Sequence, residues 1–311
     1  MKRKPKYLAP ILFWSSLLFF PLKIMGASCC GSGSSLPSLI TGDTRTQINL
    51  SMTRSKLLGK QLSNFKETIW TPSDDSKTQK IFLQGSYLFD NYIQIGLGLP
   101  YFFKQNYENR IRKSNQYFGD VELQAAYEVL PEVFYSNWLP RVFIFSKITV
   151  PTGSSIYEKE SYDKVEVTGQ GHSSVSLGAL FLKAKSSIDI QFMAEIHKGL
   201  KRRFTKRKLL LEPGLGASAL LSAGFSPSNN PWRWGISLSP NYEGPKTLTF
   251  SNKSFKTDYE FYWDTTASGS YLYSRYTSFH FAITDQTILG PVHNTSLSRT
   301  FSLNVQKRWP L

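Results

Sequence analysis

The chain has 311 residues, 41% of them hydrophobic, 14% aromatic and 19% charged, with a formal net charge of +15. The mean hydropathy is −0.27 and no apolar run reaches the length of a membrane-spanning helix, which excludes a helical membrane protein. Two adjacent cysteines exclude a disulfide framework, and four histidines without metal-ligand spacing give no reason to expect a metal or other cofactor.

Lys2, Arg3, Lys4 and Lys6 precede an apolar run over 8–22, interrupted by Pro10, Ser15, Ser16 and Pro21 and followed by the small residues Gly26-Ala27-Ser28. This is the anatomy of a signal peptide over 1–28, with an uncleaved anchor as the alternative. Its removal takes away five basic residues and leaves a charge of about +10. Residues 29–45 read as a flexible leader, carrying Cys29, Cys30 and the run Gly31-Ser32-Gly33-Ser34-Ser35. Lipidation of either cysteine lacks its aliphatic signal, since Gly26 and Ala27 stand three positions before.

From residue 46 onward the pattern has period two, the signature of strands with unlike faces. In a first strand over 47–54, Ile48, Leu50 and Met52 alternate with Gln47, Asn49 and Ser51. Strands over 81–88 and 92–101 follow a long polar loop, and in the second Ile93, Ile95 and Leu97 oppose Gln94, Gly96 and Gly98. Over 120–129, Asp120, Glu122, Gln124 and Glu128 alternate with Val121, Leu123, Ala125, Tyr127 and Val129. Further strands are expected over 142–150, which carries Lys147, and over 173–181. Over 186–196, Asp189, Gln191, Met193 and Glu195 face away from Ile188, Ile190, Phe192, Ala194 and Ile196. The basic run over 198–208 reads as a solvated loop against anionic headgroups rather than a nucleic-acid patch. A strand over 209–223 sets Leu209, Leu211, Leu215 and Leu221 against Glu212, Gly214, Gly216 and Ser218. Over 232–243, Trp232, Trp234, Ile236, Leu238 and Tyr242 oppose Arg233, Ser237, Ser239, Asn241 and Glu243. Strands over 259–272, over 276–284 with His280, and over 295–309 with the apolar row Leu297, Phe301, Leu303, Val305 and Trp309 complete the chain.

That makes about twelve strands, with long and short connections tending to alternate. In lipid only helices or a closed barrel satisfy every backbone amide. The expected fold is therefore an all-β transmembrane antiparallel barrel over 46–311, placed in the bacterial outer membrane with both termini periplasmic; a secreted β-sandwich is the competing fold. With the apolar rows toward lipid, the candidate lumen residues are Asp120, Glu122, Gln124, Glu128, Lys147, Asp189, Gln191, Glu195, Glu212, Arg233, Glu243 and His280. The expected partners are outer-membrane lipids, lipopolysaccharide, the barrel-assembly machinery and an unidentified small solute, without nucleic acid.

Three segments carry a family resemblance: Phe118-Gly119-Asp120-Val121-Glu122-Leu123, then Lys147-Ile148-Thr149-Val150-Pro151-Thr152-Gly153, then Gly169-Gln170-Gly171 with Val175-Ser176-Leu177-Gly178. Together with Cys29-Cys30-Gly31 and the stretch 37–43, the chain resembles the outer-membrane transporter family labelled MetA-pathway of phenol degradation. The resemblance implies a barrel that passes small compounds, hydrophobic or aromatic ones among them. One departure is the end, where Trp309 is followed by Pro310-Leu311 instead of a terminal aromatic. Two alternatives stay open: a non-conducting structural or adhesin-like barrel, and a barrel lipid hydrolase using His280.

Overall fold

The computed structural model describes residues 37–41, 44–62, 68–70, 77–108, 111–133, 136, 138–158, 166–228, 230–250 and 253–310. The expected signal peptide, Cys29 and Cys30 lie outside the described residues. In chain order the strands are β1 (Thr44–Gln61), β2 (Ile69–Trp70), β3 (Lys77–Leu88), β4 (Ile93–Glu108), β5 (Ile111–Phe118), β6 (Val121–Leu130), β7 (Arg141–Val150), β8 (Ser174–Lys185) and β9 (Ile188–Gly199). They continue as β10 (Arg202–Phe204), β11 (Leu209–Glu212), β12 (Leu215–Phe225), β13 (Trp232–Glu243), β14 (Thr247–Phe250), β15 (Lys253–Lys256), β16 (Glu260–Ser274), β17 (Thr277–Asp285) and β18 (Thr295–Pro310).

Twelve of these strands form a closed antiparallel barrel. Its order is β1, β3, β4, β6, β7, β8, β9, β12, β13, β16, β17, β18, and β18 returns to pair with β1 from Thr295 to Pro310. Closure leaves no open edge in the wall, so backbone donors and acceptors are used between strands. The short turns, such as those at 186–187 and 275–276, lie at one end together with residue 44 and residue 310. The long connections lie at the other end and carry structure of their own: β5 folds back on the far half of β4, and β10, β11, β14 and β15 make a separate four-stranded sheet.

Alternation along each barrel strand separates a covered row from an exposed one. On β6, Leu123, Tyr127 and Val129 are exposed while Ala126 and Glu128 are buried; on β9, Ile188, Ile190, Phe192 and Ile196 are exposed while Asp189, Gln191, Met193 and Glu195 are buried. The exposed rows together form an apolar band around the whole barrel, the surface of a protein that crosses a bilayer. Near the short-turn end Trp232 stacks on Trp234 at 5.7 Å and meets Tyr271 at 4.9 Å, an aromatic cluster suited to a membrane interface.

Two apolar assignments from the sequence need correction. The stretch 209–223 is not one strand but breaks at Pro213-Gly214. Proline supplies no amide hydrogen for a ladder, and a Cβ on Gly214 would lie 2.3 Å from the Gly244 carbonyl oxygen. Leu209 and Leu211 therefore belong to the small sheet and pack with Phe204, Tyr157 and Leu248, away from lipid. Leu297, expected on the lipid face of the last strand, is buried as well.

Candidate functional site: the barrel interior

The inward rows build three zones. The first is a set of ion pairs laid across the wall. Arg141 clasps Glu128 through Nε and Nη2 at 2.8 and 2.9 Å, Lys147 meets Glu195 at 3.0 Å, and Arg233 holds Asp189 through Nε at 2.7 Å. A Cβ on Gly224 would sit 2.1 Å from Nη2 of Arg233, so glycine on the intervening strand β12 makes room for the guanidinium. Glu122 lies within electrostatic reach of Lys147 and Lys80, and Lys80 stands over the Phe82 ring at 4.3 Å. Toward the long-connection end His197 Nε2 meets Glu243 at 2.7 Å. His280 Nε2 lies 2.9 Å from the Ser278 hydroxyl, which also donates to Gln306 at 3.1 Å.

The second zone is apolar. Ala126, Phe143, Phe145, Leu180, Leu182, Met193 and Leu220, from β6, β7, β8, β9 and β12, form one buried cluster inside the barrel. Phe143 and Met193 are 0% exposed, so this part of the interior is packed rather than water-filled. Gly178 permits it, since a Cβ there would lie 2.4 Å from Cζ of Phe145.

The third zone is the chain's own start. Residues 37–40, within the stretch expected as a leader, are buried inside the barrel, with Leu39 a member of the apolar cluster. Gln94 accepts the Ile40 amide at 2.8 Å and donates to the Ile40 carbonyl at 2.9 Å; Gln124 does the same for Ser38 at 3.2 and 2.8 Å. These two glutamines imitate strand pairing with alternate residues of an extended segment. Gln47 and Asn49 donate to the Ser38 hydroxyl, and the Ser86 hydroxyl donates to its carbonyl at 2.6 Å. Gly96 leaves the space that Gln124 occupies.

Most of the residues expected in the lumen lie on the covered rows, but not as one pathway. Gln191 is buried, and Glu122, Lys147, Asp189, Glu195, Arg233, Glu243, Glu128 and His280 are divided among the pairs above, while Gln124 grips residue 38. Glu212 falls outside the barrel wall: it sits on β11 of the small sheet, paired with Lys201 and open to solvent, because the break at Pro213 removes it from the strand. Asp120 is a loop anchor. Its Oδ1 accepts the Gly153 amide at 2.9 Å and its Oδ2 the Gln170 amide at 2.7 Å, while Thr152 and Thr168 hydroxyls bind the Gly119 and Phe118 carbonyls. A Cβ on Gly169 would lie 2.3 Å from Asp120 Oδ1, and Gly171 has a φ of 77°, which glycine adopts without strain. The motifs at 118–120, 151–153 and 169–171 thus meet at one carboxylate.

Sequence reasoning missed the amide comb and the apolar zone. Of the comb only Gln124 is among the expected lumen residues; Gln47, Asn49 and Gln94 stand on the inward rows of strands that carry no charged residue beside them to mark that face. Phe143, Phe145 and Leu180 lie on strands apolar on both faces, where alternation has no contrast.

No family model and no curated protein matches the chain. Among solved structures it is similar to the COG4313 outer membrane channel from Pseudomonas putida F1, with a TM-score of 0.65, 12% identity, and coverage of 86% of this chain and 96% of that one. It also aligns with the CymD monoaromatic hydrocarbon channel at a TM-score of 0.42 and 10% identity, over 87% and 90% of the two chains. At those identities the likeness is one of fold, and the first of the two carries it, at a TM-score of 0.65 over most of both chains.

Proposed function

We propose that the protein is an outer-membrane channel for passive passage of small apolar solutes, aromatic ones included, with its short-turn end and both termini in the periplasm. The observation that carries this reading is the apolar cluster from Ala126 to Leu220 on the inner wall of a closed barrel. A pore for ions or sugars gains nothing from burying Phe143, Phe145, Leu180 and Met193 inside, whereas a path for an apolar solute needs a surface of that kind. The fold shared with a solved outer membrane channel supports it, as does the convergence on Asp120 of the motifs that resemble the phenol-degradation family. Lipid and lipopolysaccharide would surround the apolar band, and the barrel-assembly machinery would insert it.

The reading is non-enzymatic. Ser278 beside His280 is the arrangement nearest to a hydrolase, but the Ser278 hydroxyl is shared between His280 and Gln306, and among the described residues no hydrogen-bonded carboxylate orients His280. Purified protein reconstituted in liposomes should take up toluene or phenol faster than empty liposomes and exclude glucose, with background lipid hydrolysis unaltered by His280→Ala. Liposomes that show neither uptake nor conductance would overturn the channel.

A further inference from the structure

We propose that the slot filled by residues 37–41 is the solute's binding site, that the solute is a small apolar molecule bearing one hydroxyl or amine donor, and that it binds by displacing this segment. The inference rests on the channel reading and adds to it the ligand class and the place of binding.

The segment already occupies both halves of such a site. Leu39 packs into the cluster of Phe143, Phe145, Leu180, Met193 and Leu220, a wall that offers ring and thioether surface, with the Arg141 guanidinium 5.0 Å from the Phe143 ring centroid. On the other side Ser38 and Ile40 are held by Gln94, Gln124, Asn49, Gln47 and Ser86. A molecule with an apolar body and a polar edge would replace side chain with body and backbone with edge.

The hold is also of the kind that can be exchanged. Among the described residues every polar contact to the segment is a neutral amide or hydroxyl bond, weaker than a bond to a charged group, whereas the ion pairs lie elsewhere in the wall. Asn49 gives one more sign of a ligand. It is 7% exposed, its Nδ2 donates to Ser38, and its Oδ1 is buried with no hydrogen-bond partner; Asn304 Oδ1, on an inward row of β18, is in the same condition. A buried acceptor without a donor is costly, and an incoming O–H or N–H satisfies it where the Ser38 backbone does not. The segment is then a resident competitor that lowers apparent affinity by the fraction of chains whose slot is open.

The test uses the full chain, purified in detergent, with 1-naphthol as the probe and naphthalene as its counterpart lacking the hydroxyl. Ile40→Pro removes the segment amide that Gln94 accepts, and Leu39→Ser removes its apolar anchor, both without touching the wall. In both variants, folded as judged by heat-modifiable migration, saturable 1-naphthol binding should tighten at least tenfold, naphthalene should gain less, and adding Phe145→Ala should cancel the gain. If Ile40→Pro fails to fold, Leu39→Ser decides alone. Unchanged or weaker 1-naphthol binding in the folded variants overturns the inference. Conductance of the same preparations separates the two readings: conducting variants with unchanged 1-naphthol binding leave the channel and remove the site. Tighter 1-naphthol binding with no conductance and no solute uptake leaves the site and removes the channel.

Discussion

Asp120 is a charged group on an inward row whose work is local. Both of its oxygens are taken by backbone amides from the loop 151–173, one at 2.9 Å and one at 2.7 Å, and hydrogen bonds to an ionised acceptor are worth about 1.5–3 kcal/mol each. Asp120→Asn should cost about that much for one of the two bonds, because the new NH2 faces an amide donor, and the loop between 153 and 170 should become a preferred site of limited proteolysis while the barrel stays folded. His172, in the same loop, lies against Gly199, and burial pushes its imidazole below the ordinary value. The sign follows from linkage: with the folded value depressed, the open loop binds more protons in the window between that value and about 6.5, so stability falls as pH drops through it and is fully present above it. The hydrogen-exchange protection factors of residues 168–173, with the intrinsic pH dependence of amide exchange divided out, should therefore be lower at pH 5.5 than at pH 7.5, and a His172→Phe variant should lose that difference.

At the scale of a strand, β6 separates two kinds of substitution. Leu123 is 45% exposed on the apolar band, so Leu123→Lys places a charge in hydrocarbon at about 2–4 kcal/mol and should block membrane assembly. Glu122→Gln, on the covered face between Lys80 and Lys147, should leave assembly intact and shift at most ion preference in planar-bilayer recordings; the opposite pattern would mean that the faces are exchanged. The faces of this strand were legible because alternation is a local property, written in adjacent residues. Most of the twelve barrel strands were legible for the same reason, with 259–272 the least regular of them and 142–150 apolar on both faces over part of its length. The division of 209–223 into β11 and β12 had a local sign in Pro213, but that the chain leaves the wall there depends on how closely Gly214 approaches Gly244 from a different connection. Nor was the burial of residues 37–40 legible, since their partners Gln94 and Gln124 lie 54 and 86 positions away. A short polar-apolar segment reads as a leader unless the amides that meet it are known.

Across the barrel, Lys147 with Glu195 and Arg233 with Asp189 join inward rows 48 and 44 positions apart in sequence, and Arg233 with Asp189 is the more enclosed, at side-chain exposures of 8% and 4%. The pair reaches from β13 over β12 to β9, so it ties three consecutive wall strands at the short-turn end near the interface aromatics. Enclosed charges of this kind stabilise only in company: the desolvation of each is offset by the other, and removing one partner typically costs about 3–5 kcal/mol while replacing both by apolar residues is close to neutral. Asp189→Asn should therefore lower the urea midpoint of the barrel in lipid vesicles strongly, and the combined Asp189→Leu, Arg233→Met variant should recover most of the loss. Gly224→Leu should reproduce the single defect without touching either charge, because its side chain would occupy the space of the guanidinium. If Asp189→Asn instead unfolds at the same urea concentration as the native protein, the wall does not depend on this pair, and the charges on the covered face would be free to act on whatever passes through.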